Sequence, residues 1–166
     1  MNKLMFCDGS NIYNDINKLY KTHKKGYVIL GPPGIGKTTF INDQYDNNWI
    51  DMDYLLTQLG VNWKYNELIE SNIKLNYLKV DYILEQSKLL GYRIIGSPFW
   101  NYKADAIVVI PLETHIKYTS KRPDLDISNI DNIRHIFIKH SEEYNIPLFN
   151  SINNAITYLE SLESFD

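Results

Sequence analysis

Apolar and polar positions along this chain follow two different periods. Three short apolar runs, GYVIL (26–30), YRIIGS (92–97) and AIVVI (106–110), have the length and β-branched content of buried strands, and glycines bound the first at Gly26 and Gly31. WIDMD (49–53) alternates as a fourth strand, and PLF (147–149) makes a brief fifth. Between them the period lengthens. KTTFINDQY (37–45) reads as a short helix, and a longer one spans about 65–90 on a broken stripe of Leu68, Ile69, Ile73, Tyr77, Val80, Ile83, Leu84 and Leu90, with Gly91 placed to end it. LETHIKYTSKR (112–122), residues 129–144 and SINNAITYLES (151–161) complete the helices, with PDLDISN (123–129) as a loop.

Strands that alternate with helices imply an α/β domain, a parallel sheet wrapped by helices on both faces. Residues 1–166 read as one domain without repeat or linker, with 1–25 as an N-terminal extension contributing an added strand and helix. Ligands of such sheets gather at the carboxyl ends of the strands. The segments that fall there are 31–36, Asp51 with Asp53, and Gly96 with Ser97, so these should line one site.

The first of them carries the sharpest signal. Gly31-Pro32-Pro33-Gly34-Ile35-Gly36-Lys37-Thr38 fits G-x-x-x-x-G-K-[ST] at every fixed position, between a strand and a helix as that motif requires. Glycines let the backbone curl until successive N–H groups point at phosphate oxygens at the positive end of the next helix. Lys37 is then placed for the β- and γ-phosphates, the Thr38 hydroxyl for Mg²⁺, and Thr39 for the nucleotide. The cofactors implied are ATP and Mg²⁺; the N-K-x-D signal of guanine specificity is missing, which makes ATP the default.

Asp51 and Asp53, two apart on an expected strand, should point to the same side as Trp49, with Ile50 and Met52 opposite. Beside a bound triphosphate one carboxylate can help hold the metal, with Asp51 the candidate ligand alongside Thr38. The other can take a proton from an attacking hydroxyl, and which of Asp51 and Asp53 is that base stays open in the sequence. The later apolar strands end without the acid that often accompanies this loop, since Ile95, Gly96 and Ser97 stand there, and Glu113 opens a helix instead.

Composition narrows the partners. Formal net charge is −3 with scattered basic residues, which disfavours a nucleic-acid partner, and no stretch approaches transmembrane length. The single cysteine, Cys7, precludes an internal disulfide and suits a reducing cytoplasm, the expected location. His23, His115, His135 and His140 lack metal-ligand spacing and read as surface or partly packed residues.

With these residues in place, the chain resembles a small P-loop kinase of the adenylate kinase and shikimate kinase group over most of 26–160. The resemblance implies a P-loop NTPase fold with a five-stranded parallel sheet and a short lid at about 122–132. AIVVIPLETHIKYTSKR resembles the group's strand–Pro–acidic–helix–Arg segment, which implies that Arg122 contacts the transferring phosphate and that Tyr118 lies near the adenine. The turn LFNS (148–151) falls where the group holds adenine through backbone groups. Catalytic roles would go to Lys37, Asp51, Asp53 and Arg122.

The acceptor is less constrained. Clamping a phosphorylated acceptor favours arginine forks, yet the chain has only Arg93, Arg122 and Arg134, and none between Thr39 and Tyr92. This points to a hydroxyl on a neutral or weakly charged small molecule, a nucleoside or modified nucleotide among them. Asp53, Gly96, Ser97, Phe99 and Trp100 are the expected acceptor contacts, the two aromatics by stacking. Alternatives are a nucleoside monophosphate kinase, a kinase of polynucleotide hydroxyls, and a nucleotide-binding switch without transfer. The oligomeric state stays open.

Overall fold

Tyr27–Leu30 shows how the middle of the molecule is built. Tyr27 and Ile29 pack into one apolar cluster while Val28 and Leu30 pack into another. A period of two with both faces apolar is what a strand covered by helices on each side requires. The computed structural model describes residues 13–58, 70–125 and 127–163.

In chain order these form α1 (Tyr13–Leu19), β1 (Tyr27–Leu30), α2 (Lys37–Asp43), β2 (Trp49–Asp51), α3 (Met52–Gln58), α4 (Glu70–Leu89), β3 (Arg93–Gly96), β4 (Ala106–Val108), α5 (Leu112–Thr119), a 3₁₀ turn (Ile127–Asn129), α6 (Ile130–Tyr144), β5 (Leu148–Phe149) and α7 (Ile152–Glu163). The five strands make one parallel sheet in the order β2-β3-β1-β4-β5. Val28 pairs with Ile94 on one side of β1, and Ile29 pairs with Ala106 on the other. The chain thus runs outward from β1 to β2, returns to β3, then crosses β1 to β4. That reversal opens a crevice beyond the carboxyl end of β1.

One cluster gathers Val28, Leu30, Ile50, Met52 and Ile94 with Leu55, Val80, Leu84 and Phe137 from α3, α4 and α6. The other gathers Tyr27, Ile29, Trp49, Ile95 and Val108 with Ala155 and Leu159 of α7. Ile16 of α1 is fully buried in the first cluster, so the helix expected in the N-terminal extension does flank the core. The strand expected before it, with Cys7, lies outside the described residues.

Two boundaries depart from the sequence pattern, and one helix, α3, is additional to it. The strand read over 49–53 stops at Asp51, because an Asp51 carboxylate oxygen accepts the Asp53 N–H at 3.1 Å and starts α3 in the manner of a helix cap. Met52 then lies directly over β3, where a Cβ on Gly96 would stand 2.3 Å from the Met52 Cβ. The long helix read from 65 is described from Glu70, its first residues lying outside the described segment, and α3 precedes it unforeseen. The helix read over 112–122 ends at Thr119, since Pro123 disfavours a helical Arg122 and the chain closes a turn with Arg122 N–H donating to Thr119 O at 3.0 Å.

Both edges of the sheet are short. At β2 the Gln44 side chain behaves as a strand neighbour. Its amide nitrogen donates to Trp49 O at 2.7 Å, and its oxygen accepts the Trp49 N–H at 2.9 Å.

Candidate active site at the carboxyl edge of the sheet

The loop from Gly31 to Gly36 joins β1 to α2 and turns through two left-handed residues, Gly34 at φ 83° and Gly36 at φ 94°. Side chains are costly in that region. At Gly34 space forbids one as well, because a Cβ would meet Thr119 Cγ2 of α5 at 2.4 Å. No side chain caps the start of α2.

Lys37 leads α2 and folds back over the loop, with Nζ donating to Gly31 O at 3.2 Å and Pro32 O at 2.7 Å. Burial pushes its ammonium down to about 7, assisted by Arg122 and opposed by Asp53 and Asp51. Asp53 and Asp51 offset that burial only in part, and an arriving phosphate supplies further counter-charge.

Loop, α2, the end of β2, the end of β3 and the α5 side enclose a cleft of about 1240 Å³. Pro33, Gly34, Ile35, Gly36, Lys37, Thr38 and Thr39 line it, and so do Asp51, Asp53, Ser97, Tyr118 and Arg122. Asp53 is raised above the usual carboxylate range, first by desolvation against the cleft wall and then by the charge of Asp51; Lys37 and Arg122 pull it back. These opposed influences place carboxylates and cations within electrostatic reach of one another. Ser97 Oγ donates to Gly31 O at 2.7 Å and ties the end of β3 to the loop. Arg122 makes a two-pronged bond with the Asp124 carboxylate, at 3.3 and 2.8 Å, in the exposed turn after α5.

Some expected positions fall elsewhere. Gly31, Pro32 and Gly96 are buried behind the lining. Phe99 and Trp100, expected to stack on an acceptor, do not face the cleft. Phe99 packs edge-on to Phe137 and 4.4 Å from the His140 ring, in the core, while Trp100 rests on Tyr77 with Lys74 over its ring. Asp81 accepts the Trp100 and Asn101 N–H groups and fixes that turn away from the cleft.

The histidine reading also needs correction. His115 is fully buried against the loop, and His140 is buried with its Nε2 donating to Tyr102 O at 2.7 Å. His135 is exposed as expected.

Unforeseen lining residues are Thr114 and Lys121, together with Asp43, Ile152 and Asn153, while Asn150 and Ser151 belong to the LFNS turn expected beside the nucleotide. Thr114 and Tyr118, four apart, share a helical face, so the site face of α5 was written in its period, and Lys121 follows in the turn after it. Arg93 and Arg134 prove to be structural. Arg93 pairs with Glu163 and lies over the Tyr27 ring, while Arg134 donates to Ile110 O at 2.6 Å. Among the described residues, the cations lining the cleft are therefore Lys37, Lys121 and Arg122.

Among the described residues no three His, Cys, Asp or Glu side chains converge. Mg²⁺ bound with phosphates asks for only one or two protein ligands, and Thr38 and Asp51, which both line the cleft, could offer oxygens of that kind. No helix among the described residues is long and apolar enough to cross a membrane.

The parallel sheet, its strand order and the glycine loop between β1 and α2 define a P-loop NTPase fold. No family model matches the chain. A mitochondrial AAA-ATPase of Arabidopsis thaliana is 32% identical over 91 residues, which cover 53% of this chain and 19% of that protein. Shikimate kinase from Acinetobacter baumannii, solved in complex with shikimate, superposes with a TM-score of 0.49 at 14% identity, covering 86% of this chain and 94% of that one.

Proposed function

We propose that the protein is an ATP-dependent phosphotransferase that moves the γ-phosphate to a hydroxyl of a small acceptor. The observation that carries this reading is the meeting of Lys37, Thr38, Asp51, Asp53 and Arg122 on one cleft. In this reading the loop N–H groups and Lys37 bind the β- and γ-phosphates. Thr38 and Asp51 hold Mg²⁺, which supplies charge neutralisation when bound. Asp53, its basicity raised by its setting, takes the proton of the acceptor hydroxyl. Arg122 leaves Asp124 and closes on the transferring phosphate, in a lid movement over about 122–132 that excludes water. Tyr118 and the Asn150–Asn153 stretch flank the base.

The acceptor in this reading is neutral or weakly charged, such as a nucleoside or modified nucleotide. Lys37, Lys121 and Arg122 all come from the loop and the α5 side. Arg93 and Arg134 are engaged elsewhere, so an arginine clamp for an acceptor phosphate has no residue to build it from among those described. A second reading, nucleotide hydrolysis or switching without an acceptor, is favoured by the name of the AAA-ATPase relative.

Labelled γ-phosphate from ATP·Mg²⁺ offered to nucleoside monophosphates, nucleosides, hydroxylated metabolites and polynucleotide ends separates the readings. Label on a hydroxyl acceptor, lost in Lys37→Ala, supports the kinase. Label on a monophosphate overturns the acceptor class. Label released only as free phosphate supports the second reading.

A further inference from the structure

His115 sits on α5, fully shielded from solvent, between the phosphate loop and α6. One ring nitrogen, Nε2, lies 2.8 Å from Pro33 O. The other, Nδ1, lies 3.1 Å from Arg134 Nη1, and the same Arg134 nitrogen is 2.6 Å from Ile110 O. A guanidinium can only donate, so Nδ1 must be the acceptor, and the single proton of a neutral ring is then on Nε2. Nε2–H therefore donates to the Pro33 carbonyl. The two partners leave one permitted tautomer.

The consequence lies in the next peptide group. In a planar trans peptide the carbonyl and the following N–H point in opposite directions. His115 draws the Pro33 carbonyl toward α5, so the Gly34 N–H is turned to the other side of that peptide plane. We infer that His115, held in its tautomer by Arg134, is a positioning residue that sets the Pro33–Gly34 peptide so that the Gly34 N–H faces bound phosphate.

This rests on the reading of the loop as a triphosphate cradle. Two further features agree with it. Gly34 packs so closely on Thr119 that the loop has no room to shift toward α5. Burial, Arg134 and Lys37 all lower the basicity of His115, which keeps the ring neutral; the Pro33 bond opposes them.

Two variants separate positioning from mere packing. In His115→Gln the amide nitrogen reaches the place of Nε2 and keeps the Pro33 bond. In His115→Asn the shorter side chain reaches the place of Nδ1 and keeps Arg134, but gives up the loop. ATP·Mg²⁺ affinity should fall about tenfold in His115→Asn, the scale of one lost hydrogen bond, and stay within about threefold of wild type in His115→Gln. Both variants should lose thermal stability to a similar extent. Affinity that follows thermal stability in both, or is unchanged in His115→Asn, overturns the inference and leaves the triphosphate reading standing. Wild type that fails to bind ATP·Mg²⁺ overturns both. If His115→Asn does not fold, imidazole ¹⁵N shifts of the wild-type protein decide: a neutral ring protonated on Nε2 supports the assignment, and a ring protonated on Nδ1 overturns it.

Discussion

The two flanks of α5 hold their charged groups in opposite ways. On the side toward α6, Arg134 and His115 are joined to each other and to two backbone carbonyls, with His115 fully buried. On the side toward the cleft mouth, the Arg122 side chain is held, among the described residues, by Asp124, two residues on, in an exposed ion pair. The first arrangement is strong because His115 at its centre cannot turn to water and both its ring nitrogens have partners. The second is weak because water and salt compete with it. The proposed task, to cradle phosphate in one fixed geometry yet admit and release substrate, calls for one wall of each kind.

Four experiments test this contrast. The largest effect is expected at Asp53. Asp53→Asn should lower the phosphoryl-transfer rate by about 10²–10⁴-fold, as loss of a general base does, while ATP affinity measured by calorimetry stays nearly unchanged. Equal losses in both would make Asp53 part of the nucleotide cradle instead.

Next comes the fixed wall. Gly34→Ala forces a Cβ onto a residue at φ 83° and against Thr119. Stability should fall by about 1–3 kcal/mol in thermal unfolding, with ATP affinity reduced more than about tenfold. A variant that unfolds and binds like wild type would show the loop to be soft.

The third effect is a pH dependence from Lys37, whose pKa in the free site is about 7. Bound triphosphate favours the ammonium and raises that value, so binding above pH 7 takes up a proton. Affinity should decline as pH rises above 7, by up to about tenfold per unit, until the pKa of the complex is passed. Calorimetry in buffers of different ionisation enthalpy should detect the uptake. Its absence would mean that Lys37 is already charged before phosphate arrives.

The smallest effect belongs to the loose wall. Asp124→Asn should free Arg122 and change the transfer rate by less than about threefold, upward, without a measurable shift in the unfolding midpoint. A large loss of activity would give Asp124 a role beyond holding Arg122.

Much of this was legible in the sequence, and the reasons are local. The loop could be read because its glycines and Lys37-Thr38 are contiguous. The five strands could be read because their apolar runs are short and bounded by polar or glycine positions. Most of what escaped depends on contacts distant in sequence, and the end of β2 is the local exception. Asp51 ends β2 through a bond made two residues later, which alternation conceals. Phe99 and Trp100 follow a strand end, but Asp81, from α4, turns them away from the cleft. His115 resembles any helical histidine until α6 brings Arg134 beside it. The loop motif is carried by a run of neighbours, whereas the supports around it are assembled by the fold.

The Gln44 amide on Trp49 has a consequence for how the molecule behaves in company. A terminal strand with free outward backbone groups is a template for another chain. At β2 the outward N–H and carbonyl of Trp49 are already taken by Gln44, and the next outward position is the charged Asp51. A second molecule approaching that margin finds no donor–acceptor pair at Trp49 with which to begin a ladder. One side chain thus discourages edge-to-edge association, and does so beside the strand that delivers Asp51 to the cleft.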